Sequence, residues 1–242
     1  MEEILKIVAV VAATTIGFTI AGVAGFGGGI IALPVLVWVF GVREAIPILC
    51  MSQALSTISR AGLHRQALNW PVARCFVLGA LPFSVLGSFL FISIDTTVLV
   101  RILGVMMLSF VAYTRLPIGQ NFKMRIWGFI PVGAGTGFGS AFLGIPGPFA
   151  AVFYLAYGLN ASAYVGTSAL GMAAIQAPKL IIYGSSDLLT LRVVLMGISL
   201  GAIAAGSAYL GRIILKRIPE HVFPKIITTM LLISGVVFLI KG

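Results

Sequence analysis

Apolar residues fill this chain in long blocks separated by short polar breaks. The blocks fall near 4–24, 30–41, 45–59, 71–92, 96–114, 126–143, 148–159, 161–183, 188–215 and 222–240. Most approach the ~20 residues that an α-helix needs to cross ~30 Å of hydrocarbon. Blocks 30–41 and 45–59 fall short, and "GVRE", beginning at Gly41, splits them. The outline then recurs: a glycine-rich stretch at 133–144 precedes a short block at 148–159, which ends at "GLN". "GFGGG" at Gly25–Gly29 aligns with "GIPGP" at Gly144–Pro148, and "CMSQAL" from Cys50 aligns with "GTSALG" from Gly166. This order of features predicts a duplication into residues 1–119 and 120–242, with its seam in "RLPIGQNFK" at Arg115–Lys123.

Composition turns these blocks into membrane segments. Of 242 residues, 60% are hydrophobic and only 9% charged, with a mean hydropathy of +1.12. A soluble domain of this size needs far more polar surface, so a polytopic membrane protein is expected. "MEEILKIVAVVAATT" lacks a basic region followed by a small-residue cleavage site, so it reads as the first span rather than a removed signal peptide. Cys50 and Cys75 sit in apolar contexts and read as small buried hydrophobes, not a disulfide framework.

The net charge of +10, from 16 Lys and Arg against 6 Asp and Glu, does not point to nucleic acid. The bases lie mostly between apolar blocks, where they orient the chain and touch anionic lipid, so lipid is an expected partner. If each short pair forms a hairpin that enters and leaves on one side, each half holds three full crossings and the halves are inverted. One face then carries Arg60, Arg65, Arg74, Arg115, Lys123, Arg125, Arg212, Lys216 and Arg217, while the other keeps Glu2, Glu3, Asp95 and Asp187. The positive-inside rule makes the basic face cytoplasmic and puts both termini outside, in a cell membrane. The fold class predicted is an all-α integral membrane protein of two inverted structural repeats. Each repeat has three full spans plus a broken or re-entrant helical hairpin.

Irregular backbone inside a membrane is tolerated only where protein buries it or a wet cavity receives it. Gly25, Phe26, Gly27, Gly28 and Gly29 form such a stretch, and a short helix is expected from about Ile30. Gly144, Pro146, Gly147 and Pro148 form the second, with a helix from about Pro148, since proline suits a first turn. Each helix start offers unpaired N–H groups and roughly half a positive charge. Inversion points the two starts at each other near the mid-plane, as an anion site made of backbone. Close helix packing by small residues would explain one such motif, whereas two, both followed by short helices, favour a site. "GGGIIA" also fits a loose dinucleotide fingerprint but lacks an aqueous βαβ context.

Among side chains, Lys179 lies in an apolar helix with Gln176 one turn before it and Tyr183 one turn after, all on one side. It either faces a site or snorkels to the interface, because "YGSSD" ends the helix soon afterwards. Arg60 is expected at the cytoplasmic mouth with His64 and Arg65. Ser52, Gln53, Thr167 and Ser168 start the helices after each break, as donors to an oxyanion or as interhelical hydrogen bonds. Arg43 and Glu44 read as a local ion pair at the first hairpin tip. His64 and His221 lie far apart without metal-ligand spacing, so no metal, cofactor or enzyme site is expected. Acids lie almost only at ends and loops, so a carboxylate proton relay through the membrane has few candidates. An inside-negative potential favours exit of a monovalent anion by ~2.3 kcal/mol per 100 mV.

"GVAGFGGGIIALPVLVWVFG", "SQALSTISRAGLHRQALNWPV", "GFGSAFLGIPGPFAAVFYLAYGL" and "VGTSALGMAAIQAPKLIIYG" together resemble the TauE/SafE family of membrane anion permeases. The resemblance implies export of sulfite or an organosulfur anion. Its most specific parts are the paired glycine-rich motifs and Thr167, Ser168, Lys179 and Tyr183. "GIPGP" replaces a glycine triplet, "CMSQ" replaces a Gly-Thr-Ser run, and Gln176 stands where some relatives place a histidine. These departures bear on the substrate more than on the architecture. The expected function is alternating-access movement of a small oxyanion, with a passive anion channel and a non-transport scaffold or enzyme as alternatives. A homo-oligomer is compatible with either.

Overall fold

The computed structural model describes residues 2–95, 97–99, 101, 102, 105, 124–144 and 147–214. The main helices are α1 (Glu2–Ala24), α2 (Gly28–Leu63), α3 (Trp70–Ser93), α4 (Phe129–Leu143), α5 (Gly147–Ala156), α6 (Ala161–Gly184) and α7 (Leu191–Ile214). Among the described residues, five helices (all but α4 and α5) are long and apolar enough to cross a membrane. The expected seam at 115–123 and the block at 222–240 lie outside the described residues, as does most of 96–114. Asparagine starts two of the helices. The Asn69 side chain accepts from the Val72 N–H at 3.2 Å ahead of α3, and Asn160 accepts from Ala163 at 2.9 Å ahead of α6.

Helix α2 breaks at Gly41, whose φ of 75° belongs to a conformation that glycine alone adopts freely. The two arms fold back on each other, because Gly29 lies against Leu49 and Gln53. The returning arm runs 42–63, longer than the block 45–59 that hydropathy marks. At ~1.5 Å per residue it is long enough to cross. Two of the polar residues that interrupt the hydropathy are satisfied by the helix itself. Ser52 donates to the Ile48 carbonyl at 2.9 Å and Thr57 to that of Gln53 at 2.7 Å.

The tip of this hairpin is held by other elements rather than by the expected Arg43–Glu44 pair. The Arg43 guanidinium donates to the carbonyls of Phe91 and Ile92, each at 3.0 Å, and to that of Ile94. Those carbonyls end α3, where the helix leaves acceptors free and its dipole is negative. Glu44 reaches Arg192 of α7 at 4.0 Å. The turn between α5 and α6 sits at the other end of the bundle. There the Met124 N–H bonds to the Ala156 carbonyl at 3.3 Å, and Gly158 turns the chain with φ 85°.

Helices α3 and α4 run parallel in close contact. Gly79 abuts the Ile130 carbonyl, and Gly133 and Gly137 abut the backbone of Phe76 and Ala80. Small residues let backbones approach where lipid offers no hydrophobic drive to association. Away from these seams, large apolar side chains such as Leu78, Leu86, Phe89, Ile181 and Leu195 are exposed.

Candidate anion-binding site

The first glycine turn joins α1 to α2, with Gly25 at φ 74° and Gly27 at φ 110°. Helix α2 starts at Gly28, two residues earlier than expected. In the second half α4 ends at Leu143 with Gly144 as its cap, at φ 73°, and α5 starts at Gly147 with Pro148 in its first turn. Pro146 lies outside the described residues. The two turns meet: a Cβ on Gly29 would sit 3.1 Å from the Gly144 carbonyl oxygen.

A chain of buried polar side chains closes over that meeting point. Gln53 Nε2 donates to the Gly144 carbonyl at 3.3 Å, Gln176 Nε2 donates to Gln53 Oε1 at 3.0 Å, and Cys50 Sγ donates to Gln176 Oε1 at 3.2 Å. Lys179 is only 1% exposed, so it does not snorkel. Its Nζ donates to Ser140 Oγ at 3.2 Å, and the Tyr183 hydroxyl donates to the Ala141 carbonyl at 2.6 Å. Both contacts brace the last turn of α4, which leads into Gly144.

Arg60 corrects the expectation of a place at the mouth. It is buried, and its Nη1 donates to the carbonyls of Ala21 at 3.0 Å and Gly25 at 2.9 Å. The carbonyl-rich end of α1 draws in a guanidinium that sits two turns from Gln53 on the same arm. The Tyr164 hydroxyl donates to the Ala24 carbonyl at 2.7 Å, so a second side chain holds the same turn. His64 and Arg65 do line a cleft of about 380 Å³, together with Gln66 and Ser162, and His64 Nδ1 lies 2.9 Å from Ser162 Oγ.

Charge balance singles out the buried cations. Among the described residues, Lys6 pairs with Glu2 and Glu3, and Arg192 pairs with Glu44. Neither Lys179 nor Arg60 meets a carboxylate among the described residues. A buried charge without a counter-charge is strongly unfavourable in an apolar interior.

The sequence-picked residues do not all converge. Gln53, Gln176, Gly29 and Gly144 come together, with Lys179 one turn further along α6. Thr167 stands nine residues before Gln176, about 13 Å along the helix. There its hydroxyl accepts from the Asn69 N–H at 2.9 Å. Ser168 donates to the Val165 carbonyl of its own helix at 3.2 Å, and Ser52 also reaches the Gly197 carbonyl at 3.3 Å. Phe26 packs against both hydrophobic clusters of the core. Sequence reading missed Ser140 and the polar role of Cys50. Their signals were positional, four residues before Gly144 and three before Gln53.

The chain matches the family described as "Sulfite exporter TauE/SafE" over residues 9–238. It belongs to that family. Membership and the apolar helices together make it a multi-pass membrane protein of a transporter family. No curated protein and no solved structure matches the chain.

Proposed function

We propose that this TauE/SafE member moves a small oxyanion, sulfite or an organosulfur anion, outward across the cytoplasmic membrane by alternating access. The observation that carries the reading is Lys179, buried with no carboxylate among the described residues beside it and bonded to Ser140 just ahead of the contact of two glycine turns. Its missing counter-charge is the transported anion. The N–H groups that open α2 and α5 bind it together with the amides of Gln53 and Gln176. Thr167 and Ser168 stand nearer the His64 end of α6 and serve the approach rather than the centre.

Hairpin tips at opposite ends of the bundle support two inverted repeats, 1–119 and 120–242, with both termini outside. The exposed apolar side chains face lipid. With the turns in contact, Gly29 is covered by Gln53 and by the Gly144 carbonyl. Rocking one repeat against the other parts the turns and opens the site to one side at a time.

Purified protein in liposomes tests this reading. Saturable sulfite flux with counterflow exchange is expected, and Lys179→Ala should lower the maximal rate at least ~tenfold, as loss of a charge-assisted contact does. Full flux in that variant would overturn the proposal, and flux that never saturates would identify a channel instead.

A further inference from the structure

We infer that Arg60 and Ser56 form a second oxyanion station, between the His64 cleft and the central site. The inference rests on the transport reading above and assigns it an additional stop. Arg60 Nε and Ser56 Oγ are both fully covered by protein, and neither has a hydrogen-bond partner among the described residues. The two residues stand one turn apart on the returning arm of α2, so their side chains are neighbours on one helix face. Buried polar atoms are nearly always paired, and two adjacent exceptions need an explanation.

The chemistry of the pair says what is missing. Nη1 of Arg60 is held by the Ala21 and Gly25 carbonyls, which fixes the guanidinium plane and leaves the Nε–H as a free donor. A bound water would accept from Nε and from Ser56 but would leave the guanidinium charge unbalanced. An oxyanion supplies both acceptors and the charge, and a planar guanidinium edge suits paired oxygens of a sulfite or sulfonate group.

Position gives the station its role. Arg60 is seven residues beyond Gln53, about 10 Å along the arm. In the other direction, His64 and its cleft follow one turn later. An anion entering from the cleft therefore meets Arg60 before it reaches Gln53, Gln176 and Lys179. The station should set affinity from the His64 side only.

The experiment measures sulfite flux in liposomes from each side separately, with orientation fixed by impermeant labelling of Gln66→Cys. Ser56→Ala leaves the Arg60 bonds to α1 in place, and Arg60→Lys keeps the charge while removing the Nε–H. Each should raise the KM from the His64 side about tenfold. The KM from the opposite side should stay within about twofold; because no substitution alters the equilibrium across the membrane, the maximal rate from that side then falls about tenfold while that from the His64 side is retained, a split that general destabilisation would not produce. Unchanged KM from the His64 side in both variants, or equal shifts from both sides, would overturn the inference. Lys179→Ala separates the two readings. If it loses flux while Ser56→Ala and Arg60→Lys shift nothing, only the second station falls; if it keeps full flux, the central reading falls.

Discussion

The side-chain amide of Gln176 donates to the side-chain oxygen of Gln53 across 3.0 Å, tying α6 to the returning arm of α2. Both residues are buried, and Gln53 passes the link on to the Gly144 carbonyl. Removing either amide strands its partner in an apolar interior, at about 1–3 kcal/mol. Gln53→Ala and Gln176→Ala should each lower thermal stability in detergent. The double variant should lose less than the two single effects combined, by at least ~0.5 kcal/mol. Strict additivity would show that the two side chains do not act as a unit.

Gly29 and Gly139 offer a matched pair of helical glycines. A Cβ on Gly29 meets the Gln53 amide and the Gly144 carbonyl, whereas one on Gly139 has open space around it. Gly139→Ala should be neutral or stabilising by up to about 1 kcal/mol, because alanine favours helix. Gly29→Ala should displace the Gln53 amide from the Gly144 carbonyl and lower sulfite flux. Equal flux in the two variants would show that turn contact is not required.

Arg43 holds the first hairpin tip by donating to three carbonyls at the end of α3. Its guanidinium also lies over the Phe91 ring, 5.7 Å from the centroid. Arg43→Gln should release this clamp and cost about 1–3 kcal/mol. Hydrogen exchange should rise at residues 41–45 and at the end of α3, while exchange around Gln176 stays unchanged.

Transport without a carboxylate relay should respond to voltage rather than to a proton gradient. At 100 mV a monovalent sulfonate gains about 2.3 kcal/mol, equivalent to a roughly fiftyfold concentration ratio. Liposomes with a potassium-diffusion potential should approach that ratio with equal pH on both sides. Accumulation that follows an imposed pH difference instead would place a proton in the cycle.

Much of the helix layout was legible in the hydropathy. The blocks 71–92, 161–183 and 188–215 match Trp70–Ser93, Ala161–Gly184 and Leu191–Ile214 to within three residues at each end. Lipid demands apolar side chains and internally satisfied backbone all along a span, so the signal is local and dense. The glycine runs were legible for the same reason, since irregular backbone at that depth needs a purpose.

Tertiary structure alone decided where the polar side chains go. Arg60 read as a basic residue at a mouth, yet the end of α1 supplies its carbonyl partners 35 and 39 residues away. Thr167 read equally as a donor to an oxyanion or as an interhelical hydrogen bond, and the Asn69 N–H at the start of α3 is the partner it meets. The meeting of Gly29 with Gly144 joins two halves of the chain whose likeness in sequence is only an order of features. Local pattern determines whether a segment can live in lipid, because each residue meets that solvent independently. Which buried donor finds which acceptor depends on helices brought together from distant parts of the chain, and nothing in a short window of sequence carries that information.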